Sequence, residues 1–377
     1  MRLTLKDRLS LVDWKTLTLR VFIPLGAAIL AVIILIVTAD GGCRKHKTPG
    51  EDKTPLHYGT LVCGEKTLGG ENAPIFIAKN GSLVAMLRKD AKTVTVGSDY
   101  TADAQKTIYT ANGEIVGIKA NDQTVAWVEA DAQNTLFLYI WQSKPDGVKS
   151  ACLAQNLGSD AIFMDKNSIY FTGYNNIEMF HTIFRYDLTT DRTEALMNLP
   201  VDSYEFIHCF DVTDDAVYAV GAYKDGSLRL WTMDRETGMI TNKTLDVDAD
   251  FVPYMRAVPA ANAYAFECYR KDDNENSIVV LKDGKAEILA TYTMPRAMLL
   301  LDNIEVSGTR ITWVVQSDAE LVRDAFDVHF YDLNTKTEEI FDVGVKVMKL
   351  DGRLHYLAYD PYATKGWQNE VRLYAIE

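Results

Sequence analysis

HCFDVTDDAVYAVGAYKDGSLRLWTMDRETGMI, residues 208–240, is one complete unit of a pattern that recurs along most of this 377-residue chain. A short apolar segment leads to a polar turn, an alternating segment, a loop, a third segment, a second turn and a fourth segment. Alternation with period two, β-branched and aromatic residues, and closely spaced Gly, Asn and Asp turns are typical of antiparallel strands. The stretch therefore predicts four β-strands within about 40 residues.

Units with the same order of strands and turns recur on both sides of this stretch. Complete units begin near residues 115, 161, 206, 254 and 304, and residues 74–110 fit a less regular first unit. A last unit follows from residue 347, and we expect HYGTLVCG (57–64) to supply its fourth strand. Such a unit cannot bury both of its faces alone, so the units must stack around a ring. We predict an all-β fold, a β-propeller of seven four-stranded blades, with six or eight as alternatives.

Two of the turns carry a family resemblance. FRYDLTTDRTEAL (184–196) and HFYDLNTKTEEIF (329–341) resemble the tyrosine–aspartate–leucine–threonine repeats of TolB-like and quinoprotein-like β-propellers. The resemblance covers most of residues 56–377, although the Gly-His and Trp-Asp pairs of WD40 repeats and the double glycine of kelch repeats do not recur. These families include binding scaffolds, cofactor-dependent dehydrogenases and accessory domains of hydrolases, so the resemblance implies a fold without fixing a function.

An apolar segment near the N-terminus predicts a membrane anchor. Residues 21–39, VFIPLGAAILAVIILIVTA, are uncharged and long enough to span a bilayer as a helix. We predict residues 1–20 as a cytoplasmic tail, residues 40–55 as a linker and residues 56–377 as a propeller ectodomain outside the cytoplasm. Lys and Arg are nearly balanced across the span, so this orientation follows from the large folded body after it. Cleavage after Ala39, with secretion, is the alternative.

The charge of the chain argues against polyanionic partners. The 39 Lys+Arg and 52 Asp+Glu give a net charge of -13. Nine basic and five acidic residues fall in 1–53, so residues 54–377 carry 30 basic and 47 acidic residues, a net charge of -17. A body this acidic is repelled by phosphate backbones and by anionic lipid headgroups. We predict no nucleic-acid partner, and membrane contact only through residues 21–39.

Neither the cysteines nor the histidines form a recognisable catalytic or metal-binding motif. We expect most of the cysteines on strands to be buried free thiols: Cys63, Cys152, Cys209 and Cys268. The histidines are scattered and are expected in turns or at strand ends (residues 46, 57, 181, 208, 329 and 355). HExxH, paired CxxC and GxSxG motifs are absent from the sequence. We therefore predict no catalytic residue, no metal and no cofactor.

Three carboxylates at alternate positions offer a candidate calcium site. In a strand, Asp246, Asp248 and Asp250 would lie on one face, and oxygen donors suit calcium. The segment lacks the glycine and the downstream glutamate of an EF-hand loop. A solvated outer strand or turn is the preferred interpretation.

The loops between the second and third strands of a unit differ most in length. In a propeller they open on the face that carries the connections between blades, which is the usual ligand face. They are long in the third, sixth and seventh units, at residues 172–182, 316–326 and 359–369. Because aromatic residues are enriched in interface cores, we predict binding residues in these loops: Tyr174, Phe180, His181, Phe326, Tyr359, Tyr362 and Trp367. The competing interpretation is that each loop folds back over its own blade.

These features together predict a membrane-tethered scaffold that binds an envelope protein or polymer. The alternative is a propeller enzyme, either a hydrolase or a cofactor-dependent dehydrogenase, with its site in the central channel. Polar residues contributed by several first strands around a deep pocket would favour the enzyme. An apolar or plugged channel would favour the scaffold.

Overall fold

The computed structural model of the protein describes twelve segments of the chain. They are residues 68–69, 74–88, 90–100, 104–143, 151–155, 157–175, 180–199, 207–223, 226–293, 304–316, 326–359 and 370–375. Their regular structure is β-strand apart from a short 3₁₀ turn at Pro259–Ala261. Within these segments no helix has the length and apolar character needed to cross a membrane. The predicted tail, transmembrane helix and linker (residues 1–55) lie outside the described residues.

The strands of the first two sheets follow one another along the chain. After the short strand β1 (Leu68–Gly69), the first sheet contains β2 (Pro74–Lys79), β3 (Val84–Arg88), β4 (Thr93–Gly97) and β5 (Gln105–Thr110). The second sheet contains β6 (Glu114–Ala120), β7 (Thr124–Ala130), β8 (Leu136–Gln142) and β9 (Ala151–Gln155). Every pairing is antiparallel, as expected for strands joined by short turns.

Three more four-stranded antiparallel sheets repeat this order. The third sheet contains β10 (Leu157–Met164), β11 (Ser168–Asn175), β12 (Phe180–Asp187) and β13 (Arg192–Leu199). The fourth contains β14 (Ile207–Val212), β15 (Ala216–Ala222), β16 (Leu228–Asp234) and β17 (Ile240–Thr244). The fifth contains β18 (Phe251–Val258), β19 (Ala263–Arg270), β20 (Glu275–Lys282) and β21 (Lys285–Thr293). Their starting points match the predicted units.

The last sheet is longer because one strand takes part in two hairpins. It contains β22 (Glu305–Ser307), β23 (Arg310–Gln316), β24 (Phe326–Asp332), β25 (Thr337–Leu350), β26 (Arg353–Tyr359) and β27 (Glu370–Ala375), and its order is β1-β27-β26-β25-β24-β23-β22. The first half of β25 pairs with β24, and the half after Gly344 pairs with β26. β1 pairs with β27 at Leu68, whereas the predicted closing strand 57–64 lies outside the described residues.

The first strand of each sheet and, in the last sheet, also β25 contact one another around a central channel. These strands are called the first strands below. β2 contacts β6, β6 contacts β10, β10 contacts β14, and β14 contacts β18. β18 then contacts β22, β22 contacts β25, and β25 contacts β2. The contacts therefore close into a ring.

The apolar core is divided among the junctions between neighbouring sheets. At one junction Tyr170 and Met197 of the third sheet pack with Phe210 and Trp231 of the fourth. Equivalent clusters lie between the first and second, second and third, fourth and fifth, and fifth and sixth sheets. The second to fifth sheets thus each bury both faces against their neighbours, which is why the repeats need one another for stability.

The cysteine prediction is correct for the inner strands and wrong for one outer strand. Cys209 on β14 and Cys268 on β19 are buried, free thiols. Cys152 is a free but exposed thiol, because β9 is the outermost strand of its sheet. Its Sγ donates to the carbonyl oxygen of Ala154 at 3.4 Å.

Two histidines lie within strands rather than in turns or at strand ends, contrary to the prediction. His329 is central in β24, where its ring stacks on Trp313 with 5.0 Å between ring centroids. Its Nδ1 lies 2.9 Å from Oε1 of Glu338. His355 is buried on β26, and its Nδ1 lies 3.0 Å from the carbonyl oxygen of Arg353. Both rings serve packing, since a partner on the sheet satisfies their buried nitrogen.

Candidate functional site

Two cavities follow one another along the central channel. We call the end at which the first strands begin the upper end, and the end at which they finish the lower end. The lower cavity, about 760 Å³, is lined by the ends of the first strands and the turns that follow them. The upper cavity, about 260 Å³, is lined by the beginnings of β10, β14 and β18 and by neighbouring parts of β2 and β6.

A narrow layer of four side chains borders both cavities. Phe76, Lys119, Phe163 and Arg256 line the upper and the lower cavity alike, and we call this layer the waist. Lys119 Nζ lies 6.0 Å from the ring centroid of Phe76, and Arg256 Cζ lies 5.2 Å from that of Phe163. Both separations are in the range of a cation–π interaction. The waist therefore places two cations and two aromatic rings across the channel.

The lower cavity is charged but balanced. Its described lining contains equal numbers of basic and acidic residues, namely Lys79, Lys119, Lys166, Arg235, Arg256 and Lys349 against Asp165, Asp211, Asp214, Asp215, Glu305 and Asp351. Several of them pair, including Arg235 with Asp165 at 2.9 Å and Arg256 with Glu305 at 3.7 Å. Much of this polarity is thus used in contacts within the protein.

Around the lower end, polar contacts between the first strands or the nearby turns join each repeating unit to the next. They are Ser82–Asp122, Asn121–Asp165, Asp165–Arg235, Asp211–Ala257, Arg256–Glu305, Ser307–Gly352 and Gly81–Asp351. The last contact joins the β25–β26 turn to the turn after β2. A glycine is required at position 81, because its φ is +96° and a Cβ there would collide with Asp122. The sheets therefore form a closed circle.

The chain is a β-propeller. Its sheets stack in chain order around a central channel, and the last sheet contacts the first. The TolB-like resemblance of the Tyr-Asp-Leu turns is thus a resemblance of fold.

Asp211 is the most deeply buried carboxyl group beside the lower cavity of this propeller. The backbone N–H of Ala257 donates to its Oδ2 at 2.7 Å. Burial raises the pKa of Asp211 to about 6, although the nearby Arg256 guanidinium opposes the rise. The group holds β18 against β14 at the lower end. Sequence reasoning missed it, although an aspartate between apolar residues in a predicted inner strand, FDV, was a usable signal.

Arg235 locks the third and fourth blades together. It follows β16, and its Nη1 donates to the carbonyl oxygen of Thr213 at 2.7 Å. Its Nη2 donates to Asp165 Oδ2 at 2.9 Å and to the hydroxyl of Tyr170 at 2.6 Å. That hydroxyl in turn donates to Asp165, and burial together with this carboxylate raises the pKa of Tyr170 to about 12. The cluster is a structural network between blades.

The upper cavity is mainly aromatic and apolar. Its walls include Phe210, Phe251 and Tyr254, and the imidazole of His208 lies 4.6 Å from the ring of Phe251. The backbone N–H of Val252 donates to His208 Nδ1 at 3.3 Å. Burial lowers the pKa of His208 to about 4, so this ring is neutral at pH 7.

The structure brings three of the predicted binding residues together on one hairpin. The backbone of Tyr174 pairs with that of His181, and Phe180 pairs with the next position along β11. His181 is the one of the three whose side chain is described. Its Nδ1 accepts the N–H of Ile207, a residue that lines the upper cavity, at 3.3 Å. Burial lowers its pKa.

The other predicted binding residues belong to separate hairpins. Phe326 pairs with Gln316 at the open end of the β23–β24 hairpin, and Tyr359 pairs with Val371 at that of the β26–β27 hairpin. Tyr362 and Trp367 lie outside the described residues. Whether these rings meet on one surface stays a prediction.

The three aspartates between β17 and β18 lie in an irregular connection. Asp248 forms an ion pair with Arg270 at 2.8 Å, and Asp250 Oδ2 accepts the N–H of Lys271 at 2.7 Å. Asp246 is exposed. Among the described residues, no three His, Cys, Asp or Glu side chains are grouped so that they could hold a metal ion.

Comparisons with known proteins find similarity in structure. No protein-family model matches the chain, and no curated protein matches it in sequence. TolB from Acinetobacter baumannii is 14% identical with a TM-score of 0.45, over 71% of this chain and 62% of that one, so the match spans less than two thirds of that protein. The WD40 β-propeller domain of Doa1 is 13% identical with a TM-score of 0.47, over 85% of this chain and 98% of that one.

A third similar structure is the β-propeller domain of the Trilobed protease from Pyrococcus furiosus. It is 16% identical with a TM-score of 0.44, over 69% of this chain and 81% of that one. At identities this low, the similarity concerns the fold alone, because proteins with one fold have many different ligands and activities.

Proposed function

We propose that the protein is a membrane-tethered, extracytoplasmic β-propeller of seven blades that binds an envelope protein or polymer on its upper face. The ring of first strands supports seven blades, because the second half of β25 takes the innermost place in a last blade completed by β26, β27 and β1. The apolar segment 21–39 supports the tether, and the large body after it supports the orientation.

The direction of the described strands that flank the long loops is the observation that carries the binding role. The first strand of each blade runs from the upper to the lower end, so the loop between its second and third strands returns to the upper face. The β11–β12, β23–β24 and β26–β27 hairpins therefore open toward this face, at the described pairs Asn175–Phe180, Gln316–Phe326 and Tyr359–Val371. Residues 176–179, 317–325 and 360–369, which connect these strands in the sequence, lie outside the described residues. The lower face, by contrast, uses its polar turns to join blades. We propose the aromatic residues of the three loops as the contact surface.

Replacing two loop aromatics tests this role. In the full-length chain, Tyr362→Ala combined with Trp367→Ala should weaken recovery of cross-linked envelope partners at least about tenfold. The free energy of unfolding should change by less than about 1 kcal/mol, as at ordinary surface positions. The matched control is Glu236→Ala, an exposed position in the β16–β17 turn at the lower end. Unchanged recovery, or loss of folding because the rings belong to the core, would reject the proposal.

The tether is tested independently by fractionation. The full chain should stay in the membrane pellet after alkaline carbonate extraction, whereas Ile33→Lys combined with Ile34→Lys should release it, because two charges at the centre of a span oppose insertion. Soluble native protein that begins just after Ala39 would instead support secretion after cleavage.

One observation favours the alternative enzyme. The lower cavity draws Asp211, Arg256 and Glu305 from three first strands, as a channel active site would. The contacts of these groups nevertheless also give them a structural role. Asp211 accepts a hydrogen bond from Ala257, and Arg256 contacts Glu305 and Phe163. If the enzyme interpretation is correct, Asp211→Asn should abolish a turnover that the loop variants leave intact.

A further inference from the structure

The charge lining the upper cavity is opposite to that of the propeller. Residues 54–377 carry a net charge of -17, yet the described lining of the upper cavity includes Lys119 and Arg256 and no acidic residue. His208 on the same wall is neutral at pH 7. A concave, mostly apolar space with a cationic floor attracts an anion, because the surrounding low-dielectric walls strengthen the charge interaction.

Lys119 is the cation available for such a ligand. It lies on β6 at the waist, partly buried, with its Nζ 6.0 Å from the ring of Phe76. Among the described residues, no carboxylate lies within ion-pair distance of its ammonium group. Lys79 of the lower cavity, by contrast, already has an anionic partner, because it pairs with Asp351. A half-buried ammonium without an anionic partner favours a bound anion.

Arg256 is held in place for a supporting role. Its Nη1 donates to the carbonyl oxygen of Met255 at 2.9 Å, and its Nη2 faces Glu305 at 3.7 Å. Its guanidinium also lies over the ring of Phe163. These contacts fix the orientation of the group, and Glu305 offsets part of its charge. Asp211, with a pKa of about 6, is ionised at pH 7 beside the same guanidinium and offsets more of its charge. Lys119 is therefore the main source of positive charge at the floor, which suits a monoanion better than a dianion.

The walls determine the rest of the ligand. Phe210, Phe251 and Tyr254 supply aromatic surface, and Gly117 and Gly158 leave room between the strands. At about 260 Å³ the space is slightly smaller than an ordinary drug-binding pocket. Flat aromatic groups stack favourably on such walls.

We propose that the upper cavity binds a small aromatic monocarboxylate, with the carboxylate on Lys119 and Arg256 at the waist and the ring among the aromatic walls. This site is separate from the loop surface of the proposed scaffold. It is a binding site and requires no chemical step.

Titration calorimetry on the full-length, detergent-solubilised protein tests the site. Phenylacetate is the probe, and phenylacetamide, which has the same shape without the charge, is its matched control. Phenylacetate should bind saturably with a Kd below about 1 mM, and phenylacetamide at least about tenfold more weakly. No saturable binding of phenylacetate, or equal binding of the two compounds, would overturn the proposal without any variant.

Variants of Lys119 locate the binding. Lys119→Met should weaken phenylacetate binding at least about tenfold, whereas Lys119→Arg should retain it within about threefold. Lys166→Met, at an exposed lysine of the lower cavity, should leave binding unchanged. Melting curves establish that each variant is folded, and Lys119→Gln replaces the methionine variant if that one is not. Full binding by the folded neutral variant would place the anion elsewhere and reject the site.

Discussion

At the scale of single residues, one group in the described core that is only partly satisfied by hydrogen bonds is a carboxyl. Glu267 on β19 is fully buried, and its Oε1 accepts a hydrogen bond from Asn276 Nδ2 at 2.8 Å. Its Oε2 has no hydrogen-bond partner. Desolvation raises its pKa from 4.5 to about 8, so it is mainly protonated at pH 7. The sequence analysis did not identify Glu267, because the burial of its side chain depends on neighbouring strands that the sequence does not show.

The buried carboxyl predicts a pH-dependent stability. The folded protein keeps a proton that the unfolded chain releases above about pH 4.5, so the contribution of Glu267 is fully present below that pH and is lost as the pH rises through about 8. Glu267→Gln, which is neutral at every pH, should remove this slope. Urea unfolding measures this effect. Between pH 6.5 and 8.5, the free energy of unfolding of the variant should rise relative to that of the wild type by about 1–3 kcal/mol. A constant difference over this range would contradict the assignment.

A buried hydrogen bond between blades makes a second residue-level prediction. Trp313 is fully buried on β23, and its Nε1 donates to the hydroxyl of Tyr292 on β21 at 2.8 Å. Tyr292→Phe leaves the indole N–H without this acceptor and should lower the free energy of unfolding by about 1–3 kcal/mol.

Tyr269→Phe is the matched control for this bond. The hydroxyl of Tyr269 makes a long contact of 3.4 Å with Asn274 in an exposed turn, so its loss should change stability by less than about 0.5 kcal/mol. Equal effects of the two variants in denaturant unfolding would show that the indole bond contributes nothing specific.

At the scale of strands and turns, the sequence predicted most of what the structure contains. The starts of the sheets agree with the repeat because turn residues and alternation are local signals. β25 was divided in the sequence analysis between the units ending near residue 341 and beginning near residue 347. In the structure β25 is one continuous strand. The sequence does not show this, because a strand shared by two hairpins is defined by its pairing with β24 on one side and β26 on the other.

The connection between β17 and β18 predicts indifference to calcium. Arg270 already neutralises Asp248, and the N–H of Lys271 occupies an oxygen of Asp250. Binding calcium would require breaking both contacts in an irregular segment. Adding millimolar calcium to metal-free protein should therefore leave the melting temperature unchanged, as measured by calorimetry, with magnesium as the control. A rise of several degrees with calcium alone would show a site that these contacts do not reveal.

At the scale of the whole molecule, the distances between side chains across the channel could not be predicted from the sequence. Lys119 and Arg256 lie on different blades, and only closure of the ring brings them to one waist. The candidate cavities therefore emerged from the structure, whereas the loop surface was proposed from chain order. The direction of the strands around the ring also explains why the two ends differ. Polar turns join blades at the lower end, and the described strand ends that flank the longest loops lie at the upper end.

Photo-cross-linking in living cells tests the central claim, that the upper face docks a partner. A photo-reactive side chain replaces Trp367 in one full-length variant and Glu236 in another, and the cross-linked products are compared after illumination. We predict a discrete envelope product from position 367 and none from position 236. Products of equal yield from both positions, or a product from position 236 alone, would contradict the account.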